Sequence, residues 1–116
     1  MRERAGPLRR SLRRPDYQRA TGRGQRINSR HFLVFSLDRR DGGPARLGIT
    51  VTRKVGNAVR RNRIKRLTRE WFRASALDLG SLDLVLIAKR DIPSRLGLPE
   101  LRTGLEPALR KLSEAD

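Results

Sequence analysis

Residues 46–73 read RLGITVTRKVGNAVRRNRIKRLTREWFR, and the fold is decided within this stretch. Residues 46–53 alternate, with Leu47, Ile49 and Val51 on one side and Gly48, Thr50 and Thr52 on the other, the period of a strand with one buried face. Asn57 then suits an N-cap, because its side-chain oxygen can accept an otherwise unpaired N–H of the first helical turn. The helix it opens is predicted over residues 58–76. Ile64, Leu67, Trp71 and Ala74 fall at helical spacing and predict a stripe that packs on a sheet. The opposite stripe holds Asn62, Arg66, Arg69 and Arg73, flanked by Arg61 and Lys65.

Moving outward, residues 83–90 (DLVLIAKR) form a second apolar strand. A helix between two such strands suggests a βαβ unit, parallel if the strands share a sheet. Upstream, residues 31–37 (HFLVFSL) read as a buried strand, with Phe32 and Phe35 on opposite faces. Pro15 suits the first position of a short helix over residues 15–23, ended by Gly22 or Gly24. Residues 1–14 lack apolar periodicity and are expected to form a basic flexible arm ahead of a single domain over residues 15–113. Pro93, Gly97 and Pro99 mark a loop, and residues 100–113 a terminal helix interrupted by Gly104 and Pro107.

A chain of 116 residues supports one core. It has no Cys and one His, His31, which leaves no disulfide framework and no thiolate or imidazole cluster for a metal. No apolar run is long enough to span a membrane, and a cytoplasmic location is expected. The formal charge is +16, and its placement is uneven. Residues 1–30 carry a net +8, residues 53–73 another +8, and the remaining nine basic residues are matched by nine acidic ones. A polyanion is the natural partner of such a distribution. Arg supplies 24 of the 28 cations, and its planar fork grips phosphate with two hydrogen bonds.

The run Val55–Val59 (VGNAV), followed by Arg61-Asn62-Arg63, Lys65-Arg66 and Arg69-Glu70, resembles the signature of the bacterial ribonuclease P protein. The similarity extends over about residues 9–112. It implies an α/β two-layer sandwich of order αβββαβα, like domain 2 of ribosomal protein S5. Its mixed sheet would have about four strands and a left-handed βαβ crossover, whereas sequence alone favours a right-handed one. It also implies a non-catalytic subunit of an endoribonuclease, monomeric alone, that assists an RNA component. In that family the catalytic RNA, with its Mg²⁺, removes the 5′ leader of precursor tRNA.

The resemblance implies two RNA-facing surfaces. For the catalytic RNA the candidates are Arg53, Lys54, Asn57, Arg61, Asn62, Arg63, Lys65, Arg66 and Arg69. For the single-stranded leader they are Tyr17, Arg19, Thr21, Phe35, Thr50 and Thr52, with Tyr17 and Phe35 aligned to aromatics of the family's cleft and Thr21 standing where many members carry a second one. Ordinary core packing is the alternative for Tyr17 and Phe35, and the preferred reading for Trp71 and Phe72. No Asp/Glu cluster or His pair suits hydrolysis, so no catalytic residue and no metal site is assigned to the protein. A ribosomal or other structural RNA-binding protein shares this composition, and a helix-turn-helix DNA-binding protein fits poorly with three strand-like segments.

Overall fold

The computed structural model describes residues 10–75, 77–93 and 95–114. Its elements are β1 (Arg10–Ser11), α1 (Arg14–Arg23), β2 (Gln25–Asn28), β3 (Phe32–Asp38), β4 (Arg46–Thr50), α2 (Ala58–Ala74), β5 (Leu82–Ala88) and α3 (Leu98–Glu114). They form one mixed sheet of order β1-β4-β5-β3-β2. The expected βαβ unit is present: β4 and β5 pair in parallel, with Gly48 opposite Val85, and α2 connects them. β3 runs antiparallel to β5 and to β2.

Strand alternation divides the side chains between two layers. Leu47, Phe32, Val34, Leu84, Leu86 and Ala88 share one face and form the main core with Ile64, Trp71 and Phe72 of α2 and Leu101, Leu105 and Leu109 of α3. The other face carries Gly48, Thr50, Phe35 and Val85, and α1 lies across it with Ala20 and Val85 fully buried.

Three expectations change, and one strand appears where none was assigned. The arm is shorter than residues 1–14: residues 10 and 11 pair with Arg46 and Leu47, the Leu12 N–H donates to the Leu47 carbonyl at 2.8 Å, and α1 begins at Arg14. Pairing at a sheet edge needs only backbone groups, so no apolar pattern announces it; residues 1–9 of the expected arm lie outside the described residues. The polar segment Gln25–Asn28 is an edge strand in which only Ile27 is partly buried. On α2, Ala74 is exposed and Leu67 only half-buried, so the inward stripe is Ile64, Thr68, Trp71 and Phe72. Thr68 tolerates complete burial because its hydroxyl donates to the Ile64 carbonyl at 2.7 Å. Finally, α3 runs through Gly104 and Pro107 without a break. Leu101, Leu105, Ala108 and Leu109 bury one continuous stripe, and that packing outweighs the poor helix propensity of the two residues.

One charged group lies inside the fold. The Asp83 side chain on β5 is fully buried and accepts hydrogen bonds from Arg39 Nη1 at 2.6 Å, Arg46 Nε at 2.8 Å and Arg46 Nη2 at 2.8 Å. Arg46 also reaches Asp16 on α1 at 3.3 Å. Arg39 extends the network to Asp41 at 2.9 Å and to the Pro44 carbonyl at 2.8 Å, which fastens the β3–β4 turn.

The bonded Arg39 guanidinium, helped by the Gly43 N–H, holds the Asp41 carboxyl down at about 2. A carboxylate depressed in this way stabilises the folded turn at every pH above its unfolded value and loses that contribution only as pH falls through the folded one. The clamp is therefore expected to persist through the ordinary carboxylate range. Carboxyl NMR shifts of Asp41 that titrate near pH 4 would contradict it.

Candidate nucleic-acid interface

The entry to α2 is built by a turn and a cap. The Val55 N–H donates to the Thr52 carbonyl at 3.0 Å, closing a turn that leaves Arg53 and Lys54 exposed beyond the carboxyl end of β4. Val55 is buried beneath them. Asn57 caps the helix as expected, its side-chain oxygen accepting the Arg60 N–H at 2.9 Å. That oxygen is committed to the helix, so Asn57 acts first as an organiser of the loop.

Asn62, Arg66, Arg69 and Arg73 are exposed on the outer face of α2, while Arg61, Arg63 and Lys65 are half-buried along its flanks. Arg61 Nε donates to the Gly56 carbonyl at 3.1 Å, which turns this side chain back over the entry loop. Among the described residues, no ion pair involves Arg53, Lys54, Lys65, Arg66 or Arg69. The acidic side chains that do pair cluster elsewhere, around Asp83 and along α3, and so do not neutralise these cations.

Arg60 belongs to the same basic run but points inward, and sequence reasoning passed over it. Its Nη2 donates to the Ile92 carbonyl at 2.6 Å, tying the start of α2 to the loop after β5, and its Nε is buried without a partner among the described residues. The signal was available: Arg60, Ile64, Thr68 and Trp71 lie on one helical face.

The second candidate surface lies on the α1 side of the sheet. The Tyr17 hydroxyl is hydrogen-bonded to the Thr50 hydroxyl, and the Tyr17 ring covers Gly48 so closely that a Cβ there would meet Cδ2 at 3.0 Å. Thr21, one turn on, is half-buried, and its hydroxyl donates to the Tyr17 carbonyl at 3.1 Å. The next row of the sheet, Thr50, Ile87, Leu33 and Asn28, extends from that hydroxyl pair with Ile87 and Leu33 half-buried. Phe35 faces this same layer and is half-buried, while Phe32 points into the main core.

Two of the six cleft candidates stand apart. Thr52 lies past the end of β4, exposed in the entry turn. Arg19 sits about 200° around α1 from Tyr17 and pairs with Asp16 at 3.2 Å, on the side of the helix that faces Arg46. The close spacing of Asp16 and Arg19 is itself the sequence sign of that pairing. Gly24 sets the tilt of α1: a Cβ there would lie 2.5 Å from the Ala20 and Ser36 carbonyl oxygens, so the helix end approaches β3 as only glycine permits.

Among the described residues, no group of three or more His, Asp or Glu side chains is placed to hold a metal ion, and no helix is long and apolar enough to cross a membrane.

A cationic helix rooted by its apolar face, beside a sheet face lined with hydroxyls and half-buried apolar groups, defines a class of small, strongly basic α/β sandwiches. Comparison with known proteins narrows this. The chain belongs to the bacterial ribonuclease P protein family, whose Ribonuclease P model matches residues 8–113. It is 44% identical over 109 residues to the ribonuclease P protein component of Oleidesulfovibrio alaskensis, covering 91% of this chain and 87% of that protein. With the component from Staphylococcus epidermidis it shares 37% identity over 98 residues, 84% of each chain. The solved RNase P protein of Staphylococcus aureus superposes with a TM-score of 0.75 at 31% identity, covering 89% of this chain and 94% of that one. That of Thermotoga maritima gives 0.75 at 29% identity, covering 87% and 96%. The α+β sandwich with three helices and a mixed sheet is the fold that the resemblance implied.

Proposed function

We propose that this chain is the protein subunit that works with a catalytic ribonuclease P RNA in removing the 5′ leader of precursor tRNA. The outer face of α2, with Asn62, Lys65, Arg66 and Arg69, together with Arg53 and Lys54, docks on the RNA component. Arg61 and Arg63 flank that contact, and Asn57 shapes its entry. The cleft of Tyr17, Thr21, Phe35 and Thr50 takes the unpaired leader, its floor accepting an extended strand and its aromatic groups offering faces for stacking. Arg19 and Thr52 border that path from outside the cleft. Mg²⁺ belongs to the RNA, which performs the hydrolysis. The protein offsets phosphate repulsion between two RNAs and holds the leader in register, which favours substrate and metal binding.

The observation that carries this reading is the unmatched charge of α2. Its inward stripe is locked into the core, Lys65, Arg66 and Arg69 have no carboxylate partners among the described residues, and a helix serving only solubility would balance the two signs, whereas α2 sets Glu70 alone against its cations.

The test is reconstitution. Mixed with a bacterial ribonuclease P RNA, the chain is expected to stimulate precursor-tRNA cleavage at low Mg²⁺, and absence of stimulation would overturn the proposal. In the same assay Arg66→Ala keeps the fold but weakens RNA binding. Its plot of log affinity against log salt flattens by about 0.7–0.9 for the lost phosphate contact, and an unchanged slope removes Arg66 from the interface.

A further inference from the structure

The first turn of α2 is poorly adapted to a helix that meets only water. Val59 is 78% exposed and is the one large apolar side chain left exposed among the described residues. Valine is stiff at χ1 and a weaker helix former than alanine, so it does little for the helix at this position. The same turn holds no acidic residue, although a carboxylate there would interact favourably with the positive end of the helix dipole.

The position of Val59 gives these departures a common sense. On a helical wheel it lies about 20° from Arg66, about 40° from Arg63 and about 60° from Asn62, so it stands within the cationic stripe and not at its margin. A single exposed valine on an ordinary surface needs no explanation. Here its nearest cation on the wheel, Arg66, has no carboxylate partner among the described residues, nor do Arg53 and Lys54, exposed in the turn that leads into the helix. A protein partner drawn to this face would have to be strongly acidic around an apolar spot. An RNA backbone offers both properties in one repeat, with a phosphate and then the C–H surface of a ribose, and the shallow groove of an RNA helix presents those sugars outward beside their 2′-hydroxyls.

We propose that Val59 is an apolar contact of this protein with the ribose surface of the ribonuclease P RNA. Arg66 takes a flanking phosphate and Asn62 a neighbouring 2′-hydroxyl. The proposal rests on the RNA-docking role of α2 argued above and adds to it a non-ionic element, one that determines fit and leaves charge unchanged.

Binding of the full-length chain to ribonuclease P RNA, titrated across a salt series, tests it. Removing the two methyl groups in Val59→Ala is expected to weaken binding about tenfold, and Val59→Thr, which keeps one of them, about threefold. Both plots against log salt should run parallel to that of the parent, since no phosphate contact is lost. The thermal midpoint of Val59→Ala should equal or exceed the parent's, because alanine is the better helix former. Unchanged affinity in Val59→Ala overturns the proposal, and so does a weakened affinity with a flattened slope, which would mean that ionic contacts had moved. If Arg66→Ala flattens the slope while Val59→Ala binds as the parent does, this contact alone is wrong. If the parent fails to bind the RNA, the docking role falls with it.

Discussion

Asp83→Ala is expected to cost about 3–5 kcal/mol, enough to threaten a fold of this size. The carboxylate is fully buried and neutralises two guanidinium groups whose side chains are only 11% and 24% exposed, Arg39 and Arg46 respectively. Truncation leaves both charges partly desolvated and facing each other, and removing one partner of a buried network costs far more than the intact network contributes. The lower end of the range is favoured by Arg46, which keeps Asp16 within reach. Urea unfolding would measure the loss as a lower midpoint at constant slope. A difference under about 1 kcal/mol would mean that the guanidinium groups find water easily and that the network is not sealed.

Trp71→Ala ranks beside it, also at about 3–5 kcal/mol, by another route. The indole is 2% exposed, packs against Phe72 with ring centres 6.4 Å apart, and donates from Nε1 to the Glu106 carboxylate at 3.2 Å. Its loss opens a cavity between α2 and α3 and leaves the Glu106 oxygen without that donor. The protein that remains folded should bind RNA with the parent's salt slope, because Trp71 faces away from the cations. A Trp71→Ala protein as stable as the parent but unable to bind RNA would show that the two sides of α2 had been assigned the wrong way round.

Much of this architecture is legible in the sequence because it is written in local periods. The alternation from Leu47 to Val51, the cap at Asn57 and the split faces of α2 each depend on a few neighbouring residues, and each appears in the structure. What escapes is non-local. β2 has a single apolar residue, Ile27, and β1 is two residues long, so only the strands they border reveal them. Asp83, Arg39 and Arg46 lie far apart in the chain, and their meeting depends on strand order and register. Ala74 and Thr68 exchange places relative to a simple apolar stripe because Thr68 satisfies its own hydroxyl. On the candidate interface, helical spacing places the outer cations and also carries the inward turn of Arg60 and the pairing of Arg19 with Asp16, whereas the Ile92 carbonyl that Arg60 meets lies far along the chain.

The central position of β5 imposes an order on assembly. β3 and β4 do not touch each other in the sheet; both join through β5, the last strand to emerge when the chain is made. Until residues 82–88 leave the ribosome, no strand hydrogen-bonds the β2–β3 hairpin to β4. The nascent chain can therefore close its sheet only after residues 82–88 have emerged, in an event dominated by distant contacts, and such closures are slow.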